Sequence, residues 1–77
     1  MTISIYSKPD CPQCDATCRT LDNYGVIYRK IDISCDERAR EHVLALGYRQ
    51  VPVVETNGAH WCGFRPDKLR SLRAVIA

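Results

Sequence analysis

The chain has 77 residues, which is enough for one small domain with a modest hydrophobic core. Its 11 basic and 9 acidic residues nearly balance, and it has one Trp and one Phe, so the composition does not indicate a nucleic-acid-binding protein. No stretch has the length of a membrane span and the N-terminus lacks a signal-peptide pattern, which predicts a cytoplasmic protein that does not bind membranes.

The first predicted strand covers residues 2–7, where Ile3 and Ile5 share one face of an alternating pattern. A helix should begin at Pro12, because the fixed φ and missing N–H of proline suit the first helical position. Gly25 is the expected end of this helix. Its helical spacing predicts an inward stripe of Cys14, Cys18 and Leu21.

The second predicted strand covers residues 26–33. A capping box should open the next helix, with the Ser34 hydroxyl accepting from the Glu37 amide and the Glu37 carboxylate reaching back. Gly47 is expected to end it. Its predicted inward side chains are Ala39, Val43 and Leu46.

A third strand is predicted at residues 51–55, followed by an Asn57-Gly58 turn and a fourth strand at residues 59–62. Pro66 should begin the last helix, with Leu69, Leu72 and Ile76 packed inward. The order is β-α-β-α-β-β-α. A right-handed parallel crossover and a final hairpin then predict an α/β fold with a four-stranded mixed sheet flanked by three helices. This is the minimal thioredoxin-like arrangement, and residues 1–77 are expected to form one such domain.

The segment Cys11-Pro12-Gln13-Cys14 is the strongest functional signal. Two cysteines separated by two residues, after a strand and at the start of a helix, are typical of a redox-active dithiol. The helix dipole and the unpaired first amides favour an anion at Cys11, which is therefore the expected nucleophile, and Lys8 would add to this effect. Cys14 lies one turn further inward and should resolve the mixed disulfide by closing a Cys11–Cys14 bond.

The same pair of cysteines could instead be half of a zinc site, since zinc normally takes four ligands. No second pair with ligand spacing exists among the remaining candidates, which are Cys18, Cys35, His42, His60 and Cys62. The residues favour redox chemistry. A metal-binding module that uses Cys11 and Cys14 remains an alternative function of a different class.

The predicted topology also brings other segments to the sheet edge that carries the motif, an edge favoured by ligand sites in open α/β sheets. The expected neighbours there are Cys11, Cys35, Val51-Pro52 and Cys62-Gly63. A cis peptide bond before Pro52 would present the Val51 backbone to an extended partner, although the local sequence alone favours the trans form.

Over nearly its whole length the chain resembles the NrdH-redoxins, which are glutaredoxin-like in sequence and thioredoxin-like in behaviour. The resemblance rests on the Cys-x-x-Cys motif, Gly47-Tyr48, residues 51–54 and residues 60–66, where Trp-x-Gly-Phe-Arg-Pro is the specific element. It implies an electron donor to the large subunit of a class Ib ribonucleotide reductase. Electrons would come from NADPH through thioredoxin reductase to the Cys11–Cys14 disulfide, with no bound cofactor.

The resemblance further implies a cis bond at Pro52 and a hydrogen-bonded connection over residues 61–66. A monomer is expected, because transient docking requires a free active edge. The residues expected to contact partners are Lys8, Pro12, Gln13, Val51, Pro52, Trp61, Cys62, Gly63, Phe64 and Arg65.

Some positions depart from the family pattern. Pro12 is the choice of glutaredoxins, and Cys62 replaces a common Ser; Cys18 and Cys35 are also atypical. A glutathione-dependent glutaredoxin is therefore the alternative function, although Phe64 would intrude where glutathione needs a small residue. The three extra cysteines are expected to be dispensable for disulfide reduction.

Overall fold

The computed structural model describes the backbone of residues 2–76 and the side chains of residues 2–73. The predicted inward position of the Ile76 side chain lies outside the described side chains. Within this range the chain forms a four-stranded sheet and three helices. In chain order these are β1 (Ser4–Ser7), α1 (Pro12–Asn23), β2 (Arg29–Asp32), α2 (Glu37–Ala45), β3 (Val53–Thr56), β4 (Ala59–Cys62) and α3 (Pro66–Ile76). Among these residues no helix is both long enough and apolar enough to span a bilayer.

The sheet has the strand order β2-β1-β3-β4. Strand β1 pairs with β2 in parallel, with Tyr6 opposite Ile31, and with β3 in antiparallel, with Tyr6 opposite Val53. Strands β3 and β4 form the antiparallel hairpin, in which Val53 faces Cys62. The predicted mixed sheet and its element order are thus confirmed.

Helices cover both faces of the sheet, so all four residues of the central strand β1 are buried. On one face Ile3 and Ile5 pack with α1 and α3 in a core cluster that also contains Cys18, Leu21, Val26, Val54, Trp61, Leu69 and Leu72. On the other face Tyr6 packs with α2 in a cluster that also contains Ala39, Val43 and Val53. The predicted inward stripes of α1 and α2 are therefore observed.

Strands β1, β2 and β3 are shorter than predicted. Strand β2 begins at Arg29 because the Val26 amide still bonds to the Leu21 carbonyl beyond the helix end, and Ile27 points into solvent. Gly25, with φ of 70°, ends α1 as expected. Strand β3 begins only after Pro52, which has no N–H to contribute to the ladder.

The predicted capping box of Ser34 and Glu37 is wrong. Helix α2 is capped by Asp36, whose Oδ1 accepts from the Ala39 amide at 3.0 Å. The Ser34 amide and hydroxyl instead donate to Asp32 Oδ1 at 2.8 and 2.6 Å, which closes a turn after β2. These hydrogen bonds lower the pKa of Asp32. Ser34 is therefore hydrogen-bonded to the Asp32 carboxylate at the end of β2 and does not cap α2. The carboxylate of Asp36, directly before the first helical residue, caps the helix instead.

Helix α2 is fastened to the sheet by a carboxylate on β3. Glu55 Oε1 lies 2.8 Å from His42 Nε2 and accepts from the Tyr6 hydroxyl at 3.1 Å. Burial raises the pKa of Glu55, but the hydrogen bonds from His42 and Tyr6 outweigh it and leave that pKa below its usual value. These contacts fix the position of α2 relative to the central strands.

We predict that Asp36→Ala lowers the free energy of unfolding by about 1 kcal/mol, because the Ala39 amide loses its capping acceptor. Asp36→Asn is the matched control and should retain most of the stability, since Asn caps as well as Asp. Urea unfolding would measure the midpoint at a constant slope. Equal losses in the two variants would contradict the assignment of the cap.

Candidate functional site

Cys11 lies at the N-terminus of α1, where the backbone turns sharply. The preceding Asp10 has φ of 57°, a left-handed conformation that Asp tolerates better than most residues. Cys11 is the N-cap residue, and its carbonyl accepts the Asp15 amide at 3.1 Å. Its sulfur accepts from the Cys14 amide at 3.2 Å. A backbone N–H and the positive end of the helix dipole thus both face this sulfur.

Cys11 and Cys14 are joined as a disulfide, with their Cα atoms 5.2 Å apart. Cys14 is 1% exposed and Cys11 is 7% exposed, so Cys11 is the more exposed residue of the pair. The order of exposure agrees with the predicted roles, in which Cys11 attacks a partner and Cys14 resolves the intermediate.

The backbone before β3 faces the disulfide. The Val51 carbonyl oxygen lies 3.9 Å from Cys11 Sγ, and the Val51–Pro52 peptide bond is cis, as the resemblance implies. The Gly63 amide donates to the Pro52 carbonyl at 2.8 Å, and the Cys62 thiol lies 3.3 Å from the Gln50 carbonyl oxygen. The end of β4 therefore holds the segment that runs beside Cys11.

A groove of about 420 Å³ opens beside Cys11, and four of the ten residues predicted to contact partners line it. Its lining residues are Lys8, Asp10, Cys11, Pro12, Gln13, Ile33, Arg49, Gln50 and Val51. Sequence reasoning selected Lys8, Pro12, Gln13 and Val51 but missed Ile33 and the Arg49-Gln50 pair. The sequence does place Ile33 directly after β2 and Arg49-Gln50 directly before Val51, and these positions could have indicated that they lie near the motif.

Residues 61–66 support the groove more than they line it. Trp61 is 8% exposed and belongs to the core cluster, and Pro52 is also buried, so neither side chain lines the groove. Gly63 has φ of 90°, which favours glycine, and the Cβ of any other residue there would lie 3.8 Å from Gln13 Oε1. Phe64 is exposed beside this turn.

The guanidinium of Arg65 is occupied by a neighbouring carboxylate. Arg65 Nε and Nη2 donate to the two oxygens of Asp67 at 3.3 and 3.1 Å, and this contact lowers the pKa of Asp67. At this end of the site the positive charge is therefore already paired.

The three other cysteines occupy different environments. Cys18 is buried in the core, and burial raises the pKa of the half-buried Cys62 thiol against the opposing effect of the Gly63 amide. Cys35 is exposed, with its sulfur 3.7 Å from Asp32 Oδ2. The predicted convergence of Cys35 with Cys11 is not observed at the groove, where Ile33 is the lining residue from that segment.

Among the described residues, no group of three or more His, Cys, Asp or Glu side chains is placed to hold a metal ion. Cys11 and Cys14 would therefore need further ligands from outside this part of the chain to form a zinc site. What the observed geometry directly supports is exchange between a dithiol and a disulfide.

Comparison with known proteins gives consistent results. A glutaredoxin family model matches residues 3–61. The glutaredoxin-like protein NrdH of Escherichia coli K12 is 42% identical over 72 residues, covering 94% of this chain and 89% of that protein. The protein of the same name from Lactococcus lactis is 30% identical over 70 residues, covering 91% of this chain and 97% of that protein.

Among solved structures, this chain is similar to the NrdH-redoxin of Escherichia coli, a glutaredoxin-like protein with a thioredoxin-like activity profile. The TM-score is 0.90 at 42% identity, and the match covers 94% of this chain and 95% of that chain.

We expect Cys14→Ser to trap a mixed disulfide at Cys11 when the reduced variant meets a peptide disulfide, because the resolving sulfur is gone. Cys11→Ser should form no comparable adduct, since Cys14 is almost fully buried. Intact-mass spectrometry without reductant would detect the adduct, and circular dichroism would confirm that both variants fold. Equal adduct formation by the two variants would contradict the assigned roles.

A variant with Cys18→Ala, Cys35→Ser and Cys62→Ser should retain most of the disulfide reductase activity, because none of the three sulfurs lines the groove. Alanine is chosen at the buried position to avoid burying a hydroxyl without a partner. The activity is measured per folded molecule with insulin as the substrate. Loss of most activity in the folded variant would show that an extra cysteine takes part.

Proposed function

Since this chain belongs to the glutaredoxin family, and within it to the NrdH-type redoxins, we propose a specific electron acceptor for it. The proposed acceptor is a class Ib ribonucleotide reductase. The protein is a thiol–disulfide oxidoreductase. The observation that carries the proposal is the Cys11–Cys14 disulfide at the start of α1, beside the Val51 carbonyl.

The exchange takes place in two steps at the motif. The Cys11 thiolate attacks one sulfur of the partner disulfide, so that a mixed disulfide forms and one partner thiolate leaves. The Cys14 thiol gives its proton to solvent and attacks the Cys11 sulfur, which closes the Cys11–Cys14 bond and releases the second partner thiolate. The two partner thiolates take up protons, and two electrons have passed from the dithiol to the partner.

The proposed partner disulfide lies in the large subunit of the reductase. The groove beside Cys11 is open and lined by backbone as well as side chains, which suits an extended segment that carries the disulfide. Lys8, Pro12, Gln13 and Val51 would contact that segment directly. Cys62 and Gly63 would act by holding Gln50 and Pro52 in place, and Trp61 would support them from the core. Phe64 and Arg65 would border the site.

Regeneration completes the proposed cycle. A thioredoxin reductase would return two electrons from NADPH to the Cys11–Cys14 disulfide, and the dithiol needs no bound cofactor to carry them. The cycle is proposed for a cytoplasmic monomer in which one domain, residues 1–77, leaves its active edge free for the two partners in turn.

Glutathione is the alternative source of electrons. Two features beside the site oppose it: Phe64 is exposed where a small side chain would admit the tripeptide, and the Arg65 guanidinium is already bound to Asp67. Both features arise from the same short connection between β4 and α3.

We predict that the oxidised protein is reduced rapidly by NADPH and thioredoxin reductase, and much more slowly by glutathione, NADPH and glutathione reductase. Absorbance at 340 nm, which reports NADPH, measures both rates with insulin or the oxidised large subunit of a class Ib ribonucleotide reductase as the acceptor. The matched control is Cys11→Ser, which removes the attacking sulfur in both assays.

A faster rate with glutathione would replace the proposal with a glutathione-dependent glutaredoxin. Turnover with thioredoxin reductase but no reduction of the large subunit would retain the oxidoreductase and overturn the proposed partner. Near-stoichiometric zinc or iron in protein purified under reducing conditions would favour a metal-binding module.

A further inference from the structure

A second hollow extends the groove beside Cys11 along α2. It has a volume of about 330 Å³, and both hollows include Ile33 and Arg49 in their linings, so the two hollows adjoin at these residues. The remaining residues of the second hollow are Arg40, Val43, Leu44 and Tyr48. An extended segment in contact with Cys11 can therefore continue across Arg49 onto α2.

The charge along this path is predominantly positive. Lys8, Arg40 and Arg49 line the two hollows, and within the described part of the chain none of them has a carboxylate within 4.0 Å. Among the described residues that line the two hollows, Asp10 is the one acidic side chain. On the opposite flank of the site, Arg65 is paired with Asp67. Three positive charges without a carboxylate partner among the described residues therefore line the two hollows.

The second hollow also offers apolar contact. Leu44 is 49% exposed, and Ile33 and Tyr48 beside it are half-buried. Val43 is buried beneath them. The contacts of Glu55 with His42 and Tyr6 hold α2 in place, so the hollow is formed before any partner arrives.

We propose that the hollow between α2 and Arg49 binds the segment next to the partner's disulfide, and that this segment is extended, acidic and carries a large aliphatic side chain. The aliphatic side chain packs on Leu44 while the carboxylates face Arg40 and Arg49. The proposal rests on the proposed function, because it specifies the partner of the same redox site. The lining that this hollow shares with that site and the unpaired guanidinium groups together point to this occupant.

The test uses synthetic peptides with one internal disulfide, flanked on both sides by Glu-Leu-Glu, Lys-Leu-Lys or Glu-Ser-Glu. Protein reduced in advance and freed of reductant is mixed with each peptide at low salt. Acid quenching and chromatography give a single-turnover rate constant. The measured quantity is the ratio of the rate constants for two peptides, which is insensitive to a general change in reactivity.

The wild-type protein should favour Glu-Leu-Glu over Lys-Leu-Lys, and Arg40→Glu should lower this ratio by about threefold or more, as expected for an exposed charge beside a binding site. Arg38→Glu is the matched control, because Arg38 lies on the same helix outside the linings. Leu44→Ser should reduce the preference for Glu-Leu-Glu over Glu-Ser-Glu, while Ile27→Ser, at another exposed aliphatic residue, should not.

A wild-type ratio near one, or equal effects of Arg40→Glu and Arg38→Glu, would overturn the docking proposal. This assay contains neither thioredoxin reductase nor ribonucleotide reductase, so its outcome is independent of the partner assignments. A protein that reduces the large subunit but shows no peptide preference would therefore contradict the docking surface alone.

Discussion

The contact on which this structure depends is the hydrogen bond from the Cys14 amide to the Cys11 sulfur at the first turn of α1. A helix leaves its first amides unpaired, and here one of them is directed at the reacting atom. Pro12 has no N–H, but the N–H at the first helical position has no partner within the helix, so proline there costs no hydrogen bond. The sulfur that must become an anion is thus held where the backbone favours negative charge.

The rest of the fold supplies a frame for that contact. Strand β1 is central and buried on both faces, so the loop from Ser7 to Cys11 starts from a fixed point. The end of β4 fixes the other wall, because Cys62 and Gly63 contact the carbonyls of Gln50 and Pro52. The segment of Val51 therefore meets the Cys11 sulfur, and the end of β4 holds that segment in place.

Much of this arrangement could be predicted from the sequence. The stripe of α1, the hairpin turn and the two cysteines depend on local spacing, which the sequence contains directly. The ends of β2 and the cap of α2 depend on competition between neighbouring groups. Ser34 donates a hydrogen bond to Asp32 and so does not cap α2, and the Val26 amide donates to the Leu21 carbonyl and so does not join β2. Such competition is decided by geometry that periodicity does not encode.

Some side chains that line the site could likewise be predicted from local spacing, and others could not. The motif residues were found because cysteine chemistry constrains their spacing, whereas Arg49 and Ile33 have no such signature and are brought to the groove by topology. Trp61 stood out as part of a specific motif, yet its indole lies in the core. A motif can therefore mark a residue that supports a site from beneath.

The strand order also has a consequence for the border of the sheet that β2 forms. Strand β2 forms one border with four residues, and its Arg29 and Lys30 side chains are exposed. Short, cationic borders resist the addition of a further strand from another molecule, which is the first step of aggregation. The exposed Arg29 and Lys30 side chains on β2 therefore oppose edge-to-edge pairing of the sheets of two copies of this chain.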